Sequence, residues 1–170
     1  MRSVIVALAA CLTAAGTASA QPAVPATPSL AGTWILRAAD ELHADGSRVP
    51  SYGPNPQGVL MIDAEGRYSL QIFRPERPKF ASGDKKRGTP EEYEAAVLGG
   101  STHIGRIVVD AANRVLIFHI DFASFPNWDQ TEQKRQYRLA GDELSYQVPA
   151  TAHGDGTVAI SVWRRATASP

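Results

Sequence analysis

Apolar and polar residues alternate along much of this chain. That is the period of a β-strand, whose successive side chains point to opposite faces. The pattern is plainest from Val115 to Phe122, where Leu116, Phe118, Ile120 and Phe122 interleave with Val115, Ile117, His119 and Asp121. An aromatic corner, Ser124-Phe125-Pro126-Asn127-Trp128, follows. A second alternating run, Gln133 to Ala140, puts Gln133, Arg135, Tyr137 and Leu139 on one side and Lys134, Gln136 and Arg138 on the other. Burying each large apolar side chain is worth roughly 1.5–3 kcal/mol. The face carrying Leu116, Phe118, Ile120 and Phe122 should therefore turn inward, with His119 and Asp121 facing out.

The same reading predicts further strands at Leu30–Ala39, with Trp34, Leu36 and Ala38 on one face, and at Val59–Asp63 and Tyr68–Arg74, a hairpin around Ala64-Glu65-Gly66-Arg67. His103–Asp110, Glu143–Val148 and Thr157–Arg165 bring the count to eight. His43 to Gly58, rich in proline and glycine, reads as a surface loop, the kind of segment that often lids a site. Thr89-Pro90-Glu91-Glu92 carries three helix-start signals: a capping threonine, proline at the first helical position, and a glutamate to close the box. Gly99-Gly100 stops that helix. Eight antiparallel strands in meander order with one short helix predict an all-β fold: an up-and-down barrel, or else a sandwich. A barrel of this size can hold one small ligand.

The start of the chain reads as an export signal. Met1-Arg2-Ser3 is basic, Val4 to Ala15 is almost wholly apolar, and Ala18-Ser19-Ala20 is a cleavage pattern. The apolar run is short for a membrane span of about 20 residues. The expected product is a periplasmic or secreted chain beginning at Gln21, with a flexible linker over 21–29 and one domain over 30–166. Leu8-Ala9-Ala10-Cys11 offers a lipoprotein alternative. Cys11 is the sole cysteine, so the domain has no disulfide frame and no thiol chemistry. After cleavage, 16 basic residues face 17 acidic ones, a net charge of −1 with no basic run, which argues against nucleic acid as a partner.

Candidate chemistry is sparse. The chain has no nucleophile elbow, zinc-binding helix motif or phosphate loop. Its histidines, at 43, 103, 119 and 153, fall on separate elements without ligand spacing, so no metal is expected. His119 and Asp121 share a strand face, and with Tyr137 they are the catalytic candidates, since a histidine beside a carboxylate can act as a general base. Arg135 and Tyr137 should point inward with Leu139. A buried arginine must be paired or meet an anion. The interior should then hold one cation and one phenol but no histidine.

Gly32-Thr33-Trp34 resembles the opening of the lipocalin superfamily, and Trp163-Arg164-Arg165 supplies the arginine that stacks on that tryptophan there. The chain is more specifically similar to the lipocalin-like domain family. The matching pieces include Asp45-Gly46, Tyr52-Gly53, Gly66-Arg67 with Gln71, Arg74-Pro75, His119, Phe125-Pro126-Asn127-Trp128, Gln133 and Arg135, and Gly141-Asp142-x-Leu144. Two departures stand out: Asp129-Gln130-Thr131 after the corner, and Arg106 beside Gly105. The resemblance implies a lipocalin-like barrel; the pocket such a barrel forms suits a small, mostly apolar molecule, and an inward Arg135 with Tyr137 suits one with an anionic or enolic head. Gln133, Trp128, Tyr52 and Gln71 join Arg135 and Tyr137 as ligand-binding candidates. A cofactor-independent isomerase or cyclase is the alternative. No cofactor is implied, and oligomeric state stays open.

Overall fold

The computed structural model describes residues 29–148 and 157–167; the segment read as an export signal, most of the expected linker and His153 lie outside them. Nine strands form one antiparallel sheet: β1 (Gly32–Leu42), β2 (Arg48–Pro50), β3 (Gln57–Ile62), β4 (Arg67–Phe73), β5 (Gly100–Asp110), β6 (Val115–Ala123), β7 (Thr131–Ala140), β8 (Glu143–Val148) and β9 (Val158–Arg165). Each of β3 to β8 pairs with its successor, and β9 returns to pair with β1. The result is a closed barrel of eight long strands. The short β2 shares one edge of β1 with β3: it pairs with Asp40–Leu42, whereas β3 pairs with Gly32–Ile35. The segment read as a surface loop thus contributes a ninth, three-residue strand.

Alternation fills the interior. Leu60, Leu70, Leu116, Phe118, Ile120 and Leu144 are all buried, and His119 and Asp121 are exposed, as the pattern requires. Two β-bulges change the phase. One extra residue, Arg37, lies between Leu36 and Ala38 in the β1–β9 register, so Ala39 is buried where the pattern had put Ala38 inward. The other falls opposite Gly105, where Ile120 and Phe122 pair with consecutive residues of β5 and Asp121 has no partner. Phe122, expected inside, is therefore 62% exposed, and Ala123 packs on the core beside His103. Gly105 is required there because a Cβ would run into the His119 carbonyl oxygen.

The base of the barrel is closed by Trp34 and Trp163, neither with any exposed surface. The Arg165 guanidinium lies 4.1 Å from the Trp34 ring centre and donates to the carbonyls of Ala31 at 2.6 Å and Ser29 at 3.1 Å. Gly32 has φ +129°, and a Cβ there would press on Arg165 at 3.0 Å, so the glycine of Gly32-Thr33-Trp34 makes room for the arginine. The helix α1 (Pro90–Leu98) forms its capping box: Thr89 Oγ1 accepts from Glu92 N, and Glu92 accepts from Thr89 N at 2.9 Å. It buries none of its residues and sits on the barrel as an appendage, not a plug.

Candidate ligand-binding cavity

Away from the tryptophan base, the barrel encloses a cavity of about 310 Å³. That is at the small end of ligand pockets, roughly 300–1,000 Å³. Ala39, Leu70, Ile72, Val148 and Ile160 supply apolar wall, and Asp40 and Glu41 line it from the second half of β1. Tyr52, from the segment after β2, and Trp128, from the corner, complete the lining from outside the strands.

The polar lining centres on Phe118. Its ring is fully buried and has Arg135 stacked on one face, the guanidinium carbon 4.0 Å from the ring centre. The Tyr146 ring is 5.3 Å from the same guanidinium and 5.5 Å from Phe118. Arg135 is 1% exposed. Its Nη2 donates to Gln133 Oε1 at 2.7 Å, while its Nε makes no hydrogen bond. Among the described residues no carboxylate lies within ion-pair distance of it. Burial pushes its pKa below the ordinary value, but an arginine stays charged in any accessible pH range.

Tyr68 and His103 stand edge-on to Phe118, with ring centres 5.2 and 5.9 Å from it. The Tyr68 hydroxyl is 2.7 Å from His103 Nδ1. Burial, reinforced by the Arg135 charge, pushes the His103 pKa down to about 3, so the ring is neutral at pH 7. Burial also raises the Tyr68 phenol, which stays protonated and donates to Nδ1. His103 overturns the expectation of a histidine-free interior. Its face of β5 was legible as Ser101, His103, Gly105, Ile107 and Val109, but glycine and serine dilute the apolar signal.

Of the ligand-binding candidates, Arg135, Trp128 and Tyr52 line the cavity. Gln133 faces inward on β7 and acts through its bond to Arg135. Tyr137 shares Arg135's face but lies two residues nearer the base, half-buried opposite Tyr146 and outside the cavity. Gln71 is corrected outright: it lies between Leu70 and Ile72, both buried, so alternation puts it on the outer face. The catalytic candidates separate as well. His119 is exposed on the outer surface, 3.5 Å from Glu132, and Asp121 is exposed at the bulge. Tyr68, Tyr146, Ser101 and Ser161 were missed, although Tyr68 and Tyr146 each lie two residues from a buried leucine.

The departures at the corner are structural fasteners. Asp129 Oδ1 accepts from Ala123 N at 2.7 Å, Gln130 Nε2 donates to the Asp121 carbonyl at 2.7 Å, and Thr131 Oγ1 donates to the Trp128 carbonyl at 2.7 Å. They hold Trp128 edge-on to His103, ring centres 5.9 Å apart. Arg106 points outward and donates to the Glu65 carbonyl from Nε and Nη2. Among the described residues no group of three His, Cys, Asp or Glu side chains could hold a metal ion, and no helix is long and apolar enough to cross a membrane.

A closed eight-stranded barrel whose base is an arginine-capped tryptophan has the architecture of the lipocalin class. The chain belongs to the lipocalin-like domain family, whose sequence pattern matches residues 31–166. It is 30% identical over 105 residues to a protein of Aspergillus oryzae named 4'-hydroxy-3'-methoxypropiophenone carrier protein, spanning 57% of this chain and 95% of that one. Among solved structures it is similar to a point mutant of the fluorescent protein UnaG, at 17% identity and a TM-score of 0.36, covering 81% of this chain and 96% of the other.

Proposed function

We propose that this protein is an exported carrier that holds one small, mostly apolar molecule with an anionic or enolic head inside the barrel. One observation carries the reading. A small cavity with apolar walls has a single buried cation, Arg135, among its lining groups, and among the described residues no carboxylate stands within ion-pair distance of it, Asp40 and Glu41 lining the cavity from β1. Binding sites of this kind use apolar area for affinity and a few placed polar groups for orientation. The name of the Aspergillus relative, a carrier of an aromatic ketone, fits the same class of cargo. We assign Arg135 as anchor, Gln133 as its support, and Trp128 and Tyr52 as walls. Cleavage after Ala20 would release the carrier into the periplasm or medium.

An isomerase or cyclase is less well supported. A general base works best with a pKa near the operating pH. The cavity's histidine is far below it, and His119 and Asp121 lie outside the barrel.

The test is native mass spectrometry of the exported protein, with titration of its tryptophan fluorescence by 4'-hydroxy-3'-methoxypropiophenone. A one-to-one adduct and quenching that disappears in Trp128→Phe are expected. A ligand-free protein giving no response to this ketone would overturn the carrier reading. N-terminal sequencing should begin at Gln21; a lipidated chain beginning at Cys11 would overturn the soluble assignment.

A further inference from the structure

The carrier reading leaves open the protonation state in which the ligand is held, and the donors around Arg135 bear on it. Among the described residues three buried side-chain polar atoms lack a well-aligned hydrogen bond: Arg135 Nε, Tyr146 Oη and Trp163 Nε1. The guanidinium and the indole can only donate; the phenol can do both. The Tyr146 ring stacks on Trp163, centres 6.4 Å apart, and lies 5.3 Å from the Arg135 guanidinium. Burial raises the Tyr146 pKa, while the Arg135 charge and loose hydrogen-bond contacts with Trp163, Ser161 and Arg135 lower it, so the three atoms face one another without well-aligned bonds. Two donor-only groups face its oxygen, so its own proton is directed to Ser161 or to a ligand. Donors therefore gather beside Arg135, while the carboxylates of the cavity, Asp40 and Glu41, stand on β1 outside ion-pair distance of it. Leaving buried donors unmade costs about 1–3 kcal/mol each, more for a charged group.

Resting on the carrier reading, we propose that the ligand is a weak acid taken up as its anion, with the oxyanion seated against Arg135 and Tyr146. On binding, the ligand's O–H bond breaks heterolytically. The electron pair stays on the ligand oxygen and the proton passes to solvent. No covalent bond to the protein forms.

The protein's own groups leave the pH dependence to the ligand. Towards Arg135, β4 presents Tyr68, β5 presents His103 and β8 presents Tyr146; the segment after β2 brings Tyr52, and β1 brings Asp40 and Glu41 to the cavity lining. His103 is neutral down to about pH 3, and burial holds all three phenols protonated above their ordinary range. Asp121 on β6 is exposed at the bulge, and its charge adds to the burial that raises Tyr68.

The experiment is isothermal titration calorimetry from pH 6 to 9, in buffers of differing ionisation enthalpy, with para-hydroxyacetophenone and its methyl ether. The phenol's affinity should rise about tenfold per pH unit up to its own pKa and then level off, with about one proton released below that point. The ether, which cannot ionise, should bind at least about tenfold more weakly with a flat profile. Arg135→Gln should remove the slope. Tyr146→Phe, which keeps the ring, should weaken the phenol and leave the ether unchanged, so the proposal stays testable if Arg135→Gln does not fold. Equal, pH-independent binding of phenol and ether would overturn the anion proposal and leave the carrier reading standing. Binding of neither, at any pH, would overturn both.

Discussion

Of the arginines that lie over aromatic rings, one closes the base of the barrel and one stands beside the cavity, and their surroundings differ. Arg165 covers Trp34 at 4.1 Å, donates to two backbone carbonyls, stands 4.0 Å from Asp142, and keeps 28% of its side chain exposed. Arg135 covers Phe118 at 4.0 Å, is 1% exposed, and donates to the amide oxygen of Gln133. Stacking on a ring is worth about 0.5–2 kcal/mol in either place. The separation comes from desolvation. Arg165 retains water and acceptors, so its contact is stabilising closure. Arg135 is desolvated and, among the described residues, has no carboxylate within ion-pair distance, so only its ring contacts and the Gln133 bond offset that cost. The base is built for stability and the cavity against it.

The largest expected effect is at the base. Trp34 has no exposed surface and donates its indole N–H to the Leu30 carbonyl at 2.9 Å. Trp34→Ala should cost about 3–5 kcal/mol, read as a lower midpoint in denaturant unfolding. If the mutant instead keeps its stability and loses ligand binding, the base belongs to the site and the contrast with the cavity disappears.

Acid should attack the other region. The His103 pKa is about 3 in the fold against an ordinary 6.5. Below pH 6.5 the unfolded chain takes up a proton that the folded chain refuses. The contribution of His103 is therefore fully present above pH 6.5 and is lost as pH falls toward 3. At about 1.4 kcal/mol per pKa unit the ceiling is several kcal/mol. Stability measured between pH 7 and 4 should fall more steeply in the wild type than in His103→Gln, which keeps an acceptor for Tyr68. Equal slopes would mean that His103 protonates freely in the fold.

The arginines themselves should respond with opposite signs. Arg165→Met leaves carbonyls of Ser29 and Ala31 without their donor and should cost about 1–3 kcal/mol. Arg135→Met replaces a desolvated, unpaired cation by an apolar chain of similar length. Such replacements are often neutral or stabilising by about 1–4 kcal/mol. The melting temperature should hold or rise while binding of an anionic ligand is lost. A large destabilisation at Arg135 would show that the fold uses this charge.

Much of this contrast could be read from the chain. The buried face of β6 and the inward turn of Arg135 follow from strict alternation, and Trp34 with Arg165 follows from the lipocalin resemblance. The bulges could not be read. Each inserts one residue whose only trace is a change of phase, so Ala38 and Phe122 were put inside when Ala39 and Ala123 are there. The cavity was partly hidden for a related reason. Gln71 was carried by motif and not by strand parity, which puts it outside. Tyr52 and Trp128 reach the cavity from non-strand segments, whose side-chain directions no period encodes.

The smallest expected effect falls on the residue the sequence offered most readily as a base. His119 sits two residues from Asp121 on one strand, the spacing that invites an acid–base reading. In the barrel that face is the outside: His119 pairs loosely with Glu132 at 3.5 Å, both side chains nearly half exposed, and Lys134 shares the same glutamate at 3.8 Å. Exposed pairs of this kind are worth about 0–1 kcal/mol, and the neighbouring lysine keeps Glu132 compensated when the histidine is gone. His119→Ala should therefore change stability by no more than about 0.5 kcal/mol, and binding should not respond at all, because the sheet stands between this side chain and the cavity. Ligand affinity measured side by side for His119→Ala and Tyr146→Phe makes the comparison direct. One removes a charged-capable group from the outer face; the other removes a hydroxyl from the cavity wall. A loss of binding in His119→Ala equal to that in Tyr146→Phe would place the working surface outside the barrel, and the contrast between base and cavity would no longer locate the function.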